Sequence, residues 1–339
     1  MTKETTTEDI QKIWIDIEKK LESSENVHQR TYRRLDLEKE TGIRLGCASP
    51  GSIWELLIEA GISGEDLSIK FPKWKGMYFE ILSLDVPKKD TLHIRLCLEQ
   101  RLNRDIFVTV CADLIRTLNG CLTNQSRKKE IISFLTRWSI FFEQHGQDGL
   151  TSEAQRGLYG ELWWLRCMIK QEVSLADAVN SWKGCRRNYH DFEINGHIVE
   201  VKTTMTKEPH KVQINNERQL DDRGMNSLYL FALIITKSST GGETLPDLVK
   251  SLRDIFSGDP IVYIFDNSLR EAGYLDIHAS IYNSSSYSLI KEEFFHVGEG
   301  FPRITNVPSG LGDLNYTLVL SACKEFKYDY SEYFIMLKR

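Results

Sequence analysis

The chain has 339 residues, 41% of them hydrophobic, a length that suits one large core or two smaller ones, and two domains are expected. Its net charge of −5 gives no global attraction for nucleic acid, so phosphate contacts would have to come from local clusters such as Arg30 with Arg33 and Arg34, Arg127 to Lys129, or Arg186 and Arg187. Seven cysteines with no Cys-x-x-Cys pair argue against a disulfide framework and a structural zinc; with a polar start and a longest apolar run of Leu228 to Ile235, they point to a cytoplasmic protein without a membrane span.

In chain order, Ile10, Ile13, Trp14, Ile17 and Leu21 recur at helical spacing and predict an amphipathic helix over 8–22. From Arg30 to about Val110 the period shortens. Runs at 66–71, 77–84, 91–98 and 106–111, separated by Gly, Pro and Lys-Lys-Asp turns, predict an antiparallel, strand-rich N-terminal domain. Helical spacing returns between Ala112 and Lys170, is interrupted at Gly146 to Gly149, and restarts at Thr151-Ser152-Glu153. Trp138, Tyr159, Trp163 and Trp164 fall on these helices and read as core rather than as base-stacking groups. Beyond Lys170, strands are expected at 190–194, 197–204, 228–236 and 261–265, with helical stretches at 212–220 and 244–256 between them. Further strands are expected at 287–296, 315–322 and 332–337. This alternation predicts an α/β fold with a central mixed sheet flanked by helices, over 125–339, preceded by the strand-rich domain over 1–124.

The stretch from His190 to Lys202 carries the chemistry. Asn195-Gly196 between alternating runs is a strong hairpin signal, and a two-residue turn fixes the register. Ile194 then faces His197, Phe192 faces Val199, and Asp191 faces Glu200 across the ladder, with Lys202 on the same face. Phe192, Ile194, Val199 and Val201 form the opposite, apolar face. His190 also points away from the charged face, which suits a buried or capping role. Two opposed carboxylates repel unless a cation or proton lies between them. Oxygen-only ligands suit magnesium, with manganese as a substitute, so Asp191 and Glu200 are the candidate metal ligands. A lysine beside such a metal orients an attacking water and offsets charge developing on a phosphate, which makes Lys202 a candidate catalytic group. Arg186 and Arg187, just before this segment, are candidates for a backbone phosphate contact.

Asp191 followed, after a short hairpin, by Glu200-Val201-Lys202 resembles the signature of the PD-(D/E)xK nuclease superfamily, with His190 where the motif has its proline. The resemblance implies a restriction-endonuclease-like core and DNA as substrate. It also implies a further acidic residue on an upstream helix, and Gly157-Leu158-Tyr159-Gly160-Glu161-Leu162 is similar to such a helix, with Glu161 in that role. Related nucleases place substrate-facing groups after the hairpin, where Gln213 and Gln219 stand. The run from Gly157 to Thr204, and again Gly310 to Tyr316, resembles a group of bacterial restriction-like proteins that tend to occur near DNA methyltransferases. That implies a restriction-modification or phage-defence role. No P-loop, His-Glu-x-x-His or Gly-x-Ser-x-Gly element is present, so any ATPase would be a partner, as a methyltransferase would be. Cutting both strands often requires two centres, which points to a homodimer. The rival expectation is an inactive nuclease-fold module that binds nucleic acid or assembles with defence-system partners.

Overall fold

The computed structural model describes residues 6–338 apart from 24–28, 36–41, 51, 60–70, 85–90, 100, 120, 122, 147, 187–188, 239–240, 309 and 311–313. It divides the chain between Gln147 and Asp148. The helix over Asn124–His145 therefore belongs to the first unit, whereas the sequence pattern puts the boundary at 124/125.

The first unit begins with α1 (Thr7–Glu22), closed by a Thr6–Asp9 capping box and burying Ile10, Trp14, Ile17 and Leu21 as the periodicity predicts. Five strands follow: β1 (Arg30–Arg34), β2 (Ile43–Ala48), β3 (Ile53–Glu59), β4 (Met77–Leu84) and β5 (Thr91–Leu98). They form an all-antiparallel sheet in the order β1-β2-β3-β5-β4. Helices α2 (Arg104–Asn119) and α3 (Asn124–His145) complete it. Trp14 anchors α1 by donating its indole N–H to the carbonyls of Gly46 and Glu55, at 3.0 and 3.2 Å, and by stacking on Trp54. The strand expected at 106–111 is the start of α2. Nearly every residue there is buried, and on a helix buried all round an apolar run carries no readable period. Of the strand expected at 66–71, residues 66–70 lie outside the described residues.

The second unit is a mixed α/β fold, as expected. Its helices are α4 (Ser152–Lys170), α5 (Leu175–Ser181), α6 (Leu245–Ile255), α7 (Ile261–Glu271), α8 (Ala279–Tyr282) and α9 (Tyr330–Leu337). Its main sheet runs β10 (Glu243–Thr244), β11 (Ser286–His296), β9 (Ser227–Ser238), β7 (His197–Thr204), β6 (Phe192–Ile194). β7 and β9 are parallel and the other pairs antiparallel. β9 is apolar on both faces: Tyr229, Phe231, Leu233 and Ile235 join the core under α4 and α6, while Leu228, Leu230, Ala232 and Ile234 join a second core. A two-stranded sheet of β8 (Lys211–Ile214) and β12 (Tyr316–Val319) lines that second core through Val212, Ile214 and Leu318.

Several expected elements change type. The run 261–265 is not a strand but the start of α7, whose buried Ile261, Phe265, Ser268 and Leu269 follow helical spacing once residues beyond 265 are included. The run 332–337 belongs to α9, started by an Asp329 side chain that accepts from the Ser331 amide at 2.8 Å. The stretch 212–220 is β8, with Val212 and Ile214 buried alternately, followed by a 3-10 turn at Glu217–Leu220. The strand expected to reach 322 gives way to a 3-10 helix over Leu320–Phe326. No helix among the described residues is long and apolar enough to cross a membrane.

Candidate active site

The hairpin forms with the expected register over its ladder, Phe192 opposite Val199 and Ile194 opposite His197. Asn195 and Gly196 both adopt positive φ, 51° and 76°, the conformation that a two-residue turn of this hand requires. The ladder ends at Phe192, one residue short of Asp191. The Asp191 carbonyl accepts from the amides of Lys183 and Gly184, at 2.7 and 3.0 Å, and its side-chain Oδ2 accepts from the Val201 amide at 2.7 Å. Asp191 is thus clamped by main chain on both sides, and Oδ1 takes no hydrogen bond among the described residues.

Glu161 arrives from α4. That helix is capped by Thr151, whose hydroxyl accepts from the Ala154 amide, and buries Leu158, Leu162, Trp164, Leu165 and Met168. Gly160 costs about 1 kcal/mol of helix propensity relative to Ala. A Cβ there would lie 1.8 Å from Thr203 Oγ1, so glycine is what lets α4 approach β7 closely enough to deliver Glu161. The Trp182 indole donates to Glu161 Oε2 at 2.6 Å and fixes that carboxylate. A Cβ on Gly184 would lie 2.6 Å from Asp191 Oδ1 and 2.9 Å from Glu161 Oε2, so the two carboxylates converge on the space that this glycine leaves. Trp182 and Gly184 escaped the sequence reading because each matters only through a neighbour distant in sequence; a Trp and a Gly just before an acidic hairpin were the available signal.

Glu200 and Lys202 leave β7 on the same face. Glu200 is 1% exposed, and Lys202 Nζ lies 2.8 Å from its Oε1. This is an ion contact rather than an aligned hydrogen bond, and Glu200 Oε2 has no hydrogen-bond partner among the described residues. Lys202 Nζ donates to Gln219 Oε1 at 3.0 Å, and that oxygen also accepts from the Asn215 amide. Gln219 stands in the 3-10 turn after β8 and so reaches the charged face directly.

Burial, then repulsion from Asp191, pushes the Glu161 carboxyl up to about 8. Burial likewise raises Asp191, and raises Glu200 well above the usual carboxylate range, with Asp191 adding to the effect. Burial works against the Lys202 ammonium, but Glu200 first, then Asp191, outweighs it and holds the lysine above its ordinary value. Three carboxylates surround one lysine, and the excess negative charge calls for protons or a cation.

A hard divalent cation fits this donor set, on the orphaned buried oxygen of Glu200 and on Asp191 Oδ1. Among the described residues no group of three Asp, Glu, His or Cys side chains is placed to hold a metal by itself. Magnesium commonly takes one or two carboxylates and completes its shell with water and phosphate oxygens.

The other expected contacts are less central. Gln213 is exposed and accepts from the Thr317 hydroxyl at 3.0 Å across the β8–β12 ladder. Arg187 and the side chain of Arg186 lie outside the described residues. Trp138, Tyr159 and Trp164 are buried, as expected, and Trp163 packs partly buried against the same core as Trp164.

A mixed sheet that presents an acidic hairpin and its lysine beside a glutamate-bearing helix is the architecture of a PD-(D/E)xK-type core. The family model described as "Putative PD-(D/E)XK family member, (DUF4420)" matches residues 10–321, and the chain belongs to that family. No curated protein and no solved structure matches it.

Proposed function

We propose that this protein is a divalent-metal-dependent DNA endonuclease that hydrolyses phosphodiester bonds in a restriction-modification or phage-defence system of the cytoplasm. The observation that carries the reading is the excess of buried carboxylate over cation on the hairpin face, with Glu200 Oε2 orphaned. A buried carboxylate oxygen without a partner is costly, and such costs persist where function requires them.

Asp191 Oδ1 and Glu200 Oε2 would hold magnesium, or manganese in its place. A cation held there would supply Lewis acidity toward a phosphoryl oxygen and toward the attacking water. Lys202, steadied by Gln219 and Glu200, presents its ammonium to the attacking water and the phosphate, where charge builds up. Glu161, fixed by Trp182, keeps its proton up to about 8 without metal; a cation held nearby would favour its carboxylate form, which would then add negative charge behind Asp191. DNA is the substrate on this reading, a second copy would supply the second cut, and a methyltransferase or ATPase of the same system would be the partner.

One observation favours a rival. The Lys202–Glu200 contact already neutralises one carboxylate, as it would in an inactive module that only binds nucleic acid or assembles with defence partners. Plasmid cleavage by the purified protein in magnesium, manganese or EDTA separates the two, run on methylated and unmethylated DNA beside Lys202→Ala. Metal-dependent cutting that the variant loses is the expected result. Binding without cutting in every metal would establish the rival.

A further inference from the structure

Beside the hairpin lies a cavity of about 570 Å³ that the nuclease chemistry does not use. Its walls include Tyr189, His190, Glu217, Arg218, Thr305 and Asn306. Two wall segments continue directly into the charged face. His190 precedes Asp191, so their Cα atoms are about 3.8 Å apart. Glu217 and Arg218 belong to the same 3-10 turn as Gln219, which holds Lys202.

We propose that this cavity receives an unstacked nucleobase of the DNA strand whose phosphate lies at the hairpin face, with Tyr189 as its stacking platform. The proposal rests on the nuclease reading above. Tyr189 is 52% exposed, yet it is not loose: the Arg218 guanidinium lies 4.8 Å from the ring centroid and also donates to the phenol oxygen at 2.5 Å. The guanidinium covers one ring face, which leaves a pre-oriented aromatic surface for a flat ligand at small entropic cost.

The charge of the walls argues for a base rather than a phosphate. Two guanidiniums, Arg218 and Arg223, are balanced by two carboxylates, Glu217 and Asp221, and Asp221 is already paired with Arg223 at 2.8 Å. A phosphate placed here would meet the carboxylates. A nucleobase is neutral and bears donors and acceptors at its edge, which the amide of Asn306, the hydroxyl of Thr305 and the Glu217 carboxylate, whose Oε2 accepts from the Leu314 amide, can match. The volume falls within the range of about 300–1,000 Å³ typical of small-ligand pockets. Because unstacking is least costly in a single strand or at a mismatch, such DNA should be preferred.

The test uses the full chain with calcium in place of magnesium, so that binding is read without cleavage. The probes are two fluorescein-labelled single strands of equal length, one with all its bases and one with a central run of abasic sites. The wild type should bind the base-bearing strand between about 5- and 150-fold more tightly, the range that one stacked base confers. Tyr189→Ala should erase that preference with no change in salt dependence, since no phosphate contact is lost, and Tyr189→Phe should keep it. Equal binding of both strands by the wild type, a preference retained in Tyr189→Ala, or no binding to either strand overturns the proposal. Cleavage of the base-bearing strand in magnesium is scored separately. Cutting without base preference rejects the cavity and leaves the nuclease; base preference without cutting does the reverse.

Discussion

Two glutamates, one in each unit, are buried to the same 1% exposure and keep opposite company. Glu55, on β3, is surrounded by donors: the Tyr32 hydroxyl donates to Oε2 at 2.5 Å, and Arg30 and Arg95 lie 3.3 and 3.6 Å from Oε1. Glu200, on β7, faces Asp191 and Glu161 as well as its lysine, and one of its oxygens has no partner among the described residues. A buried charge satisfied by neighbours holds a sheet together; a buried charge left in surplus is held by the fold at a cost. On the proposed reading the contrast separates a structural carboxylate from a functional one, which burial alone cannot do.

The largest expected effect that sharpens this contrast is on cleavage. Asp191→Ala and Lys202→Ala should each lower plasmid cutting by at least about 10²- to 10³-fold, the usual loss for a group that stabilises transition-state charge. Circular dichroism and thermal midpoints should show both variants folded; cutting retained by either would remove that residue from the centre. Next, Glu55→Ala should destabilise the N-terminal unit by about 3–5 kcal/mol in urea unfolding, because Arg95 is left buried beside fewer carboxylates. A loss below about 1 kcal/mol, the scale of an exposed ion pair, would mean that the network around Glu55 is ornamental.

The opposite sign is expected at the hairpin. Glu200→Gln, measured in EDTA, should stabilise the protein by about 0.5–2 kcal/mol, in the manner of substitutions that relieve a functional site, while abolishing any manganese-induced thermal shift. Destabilisation would show that the Glu200–Lys202 contact outweighs the repulsion among the carboxylates. A further effect concerns pH without metal. The Glu161 carboxyl is raised from an ordinary value near 4.5 to about 8, so the folded state holds a proton that the unfolded chain releases. Its contribution is fully present below about 4.5 and lost as pH rises through about 8. Thermal midpoints in EDTA should therefore fall between those values, and Glu161→Gln should flatten the slope; an unchanged slope would assign the effect to other groups.

How much of this was legible in the sequence depended on whether a signal was local. The hairpin was legible because Asn195-Gly196 specifies both turn and register, and the register placed Glu200 and Lys202 on one face. The convergence of Glu161 with Asp191 was not, since it depends on Gly160 admitting α4 to β7 and on Gly184 leaving space. Apolar runs such as 106–111 and 261–265 read as strands because a short window holds too few turns to show helical period. The 212–220 stretch was misassigned in the other direction: β8 is a strand because β12, about a hundred residues away in sequence, pairs with it. The sequence offers Gln219 only as a candidate substrate-facing group, and its contact with Lys202 follows from the turn that succeeds β8.

The most direct test of the central claim, that the surplus carboxylates of the hairpin exist to hold a divalent cation, is manganese titration by calorimetry. It would compare the wild type, Asp191→Asn and Glu55→Gln. Saturable binding by the wild type and Glu55→Gln, lost in Asp191→Asn, is the predicted result. Binding that survives in Asp191→Asn, or no binding by the wild type, would contradict it.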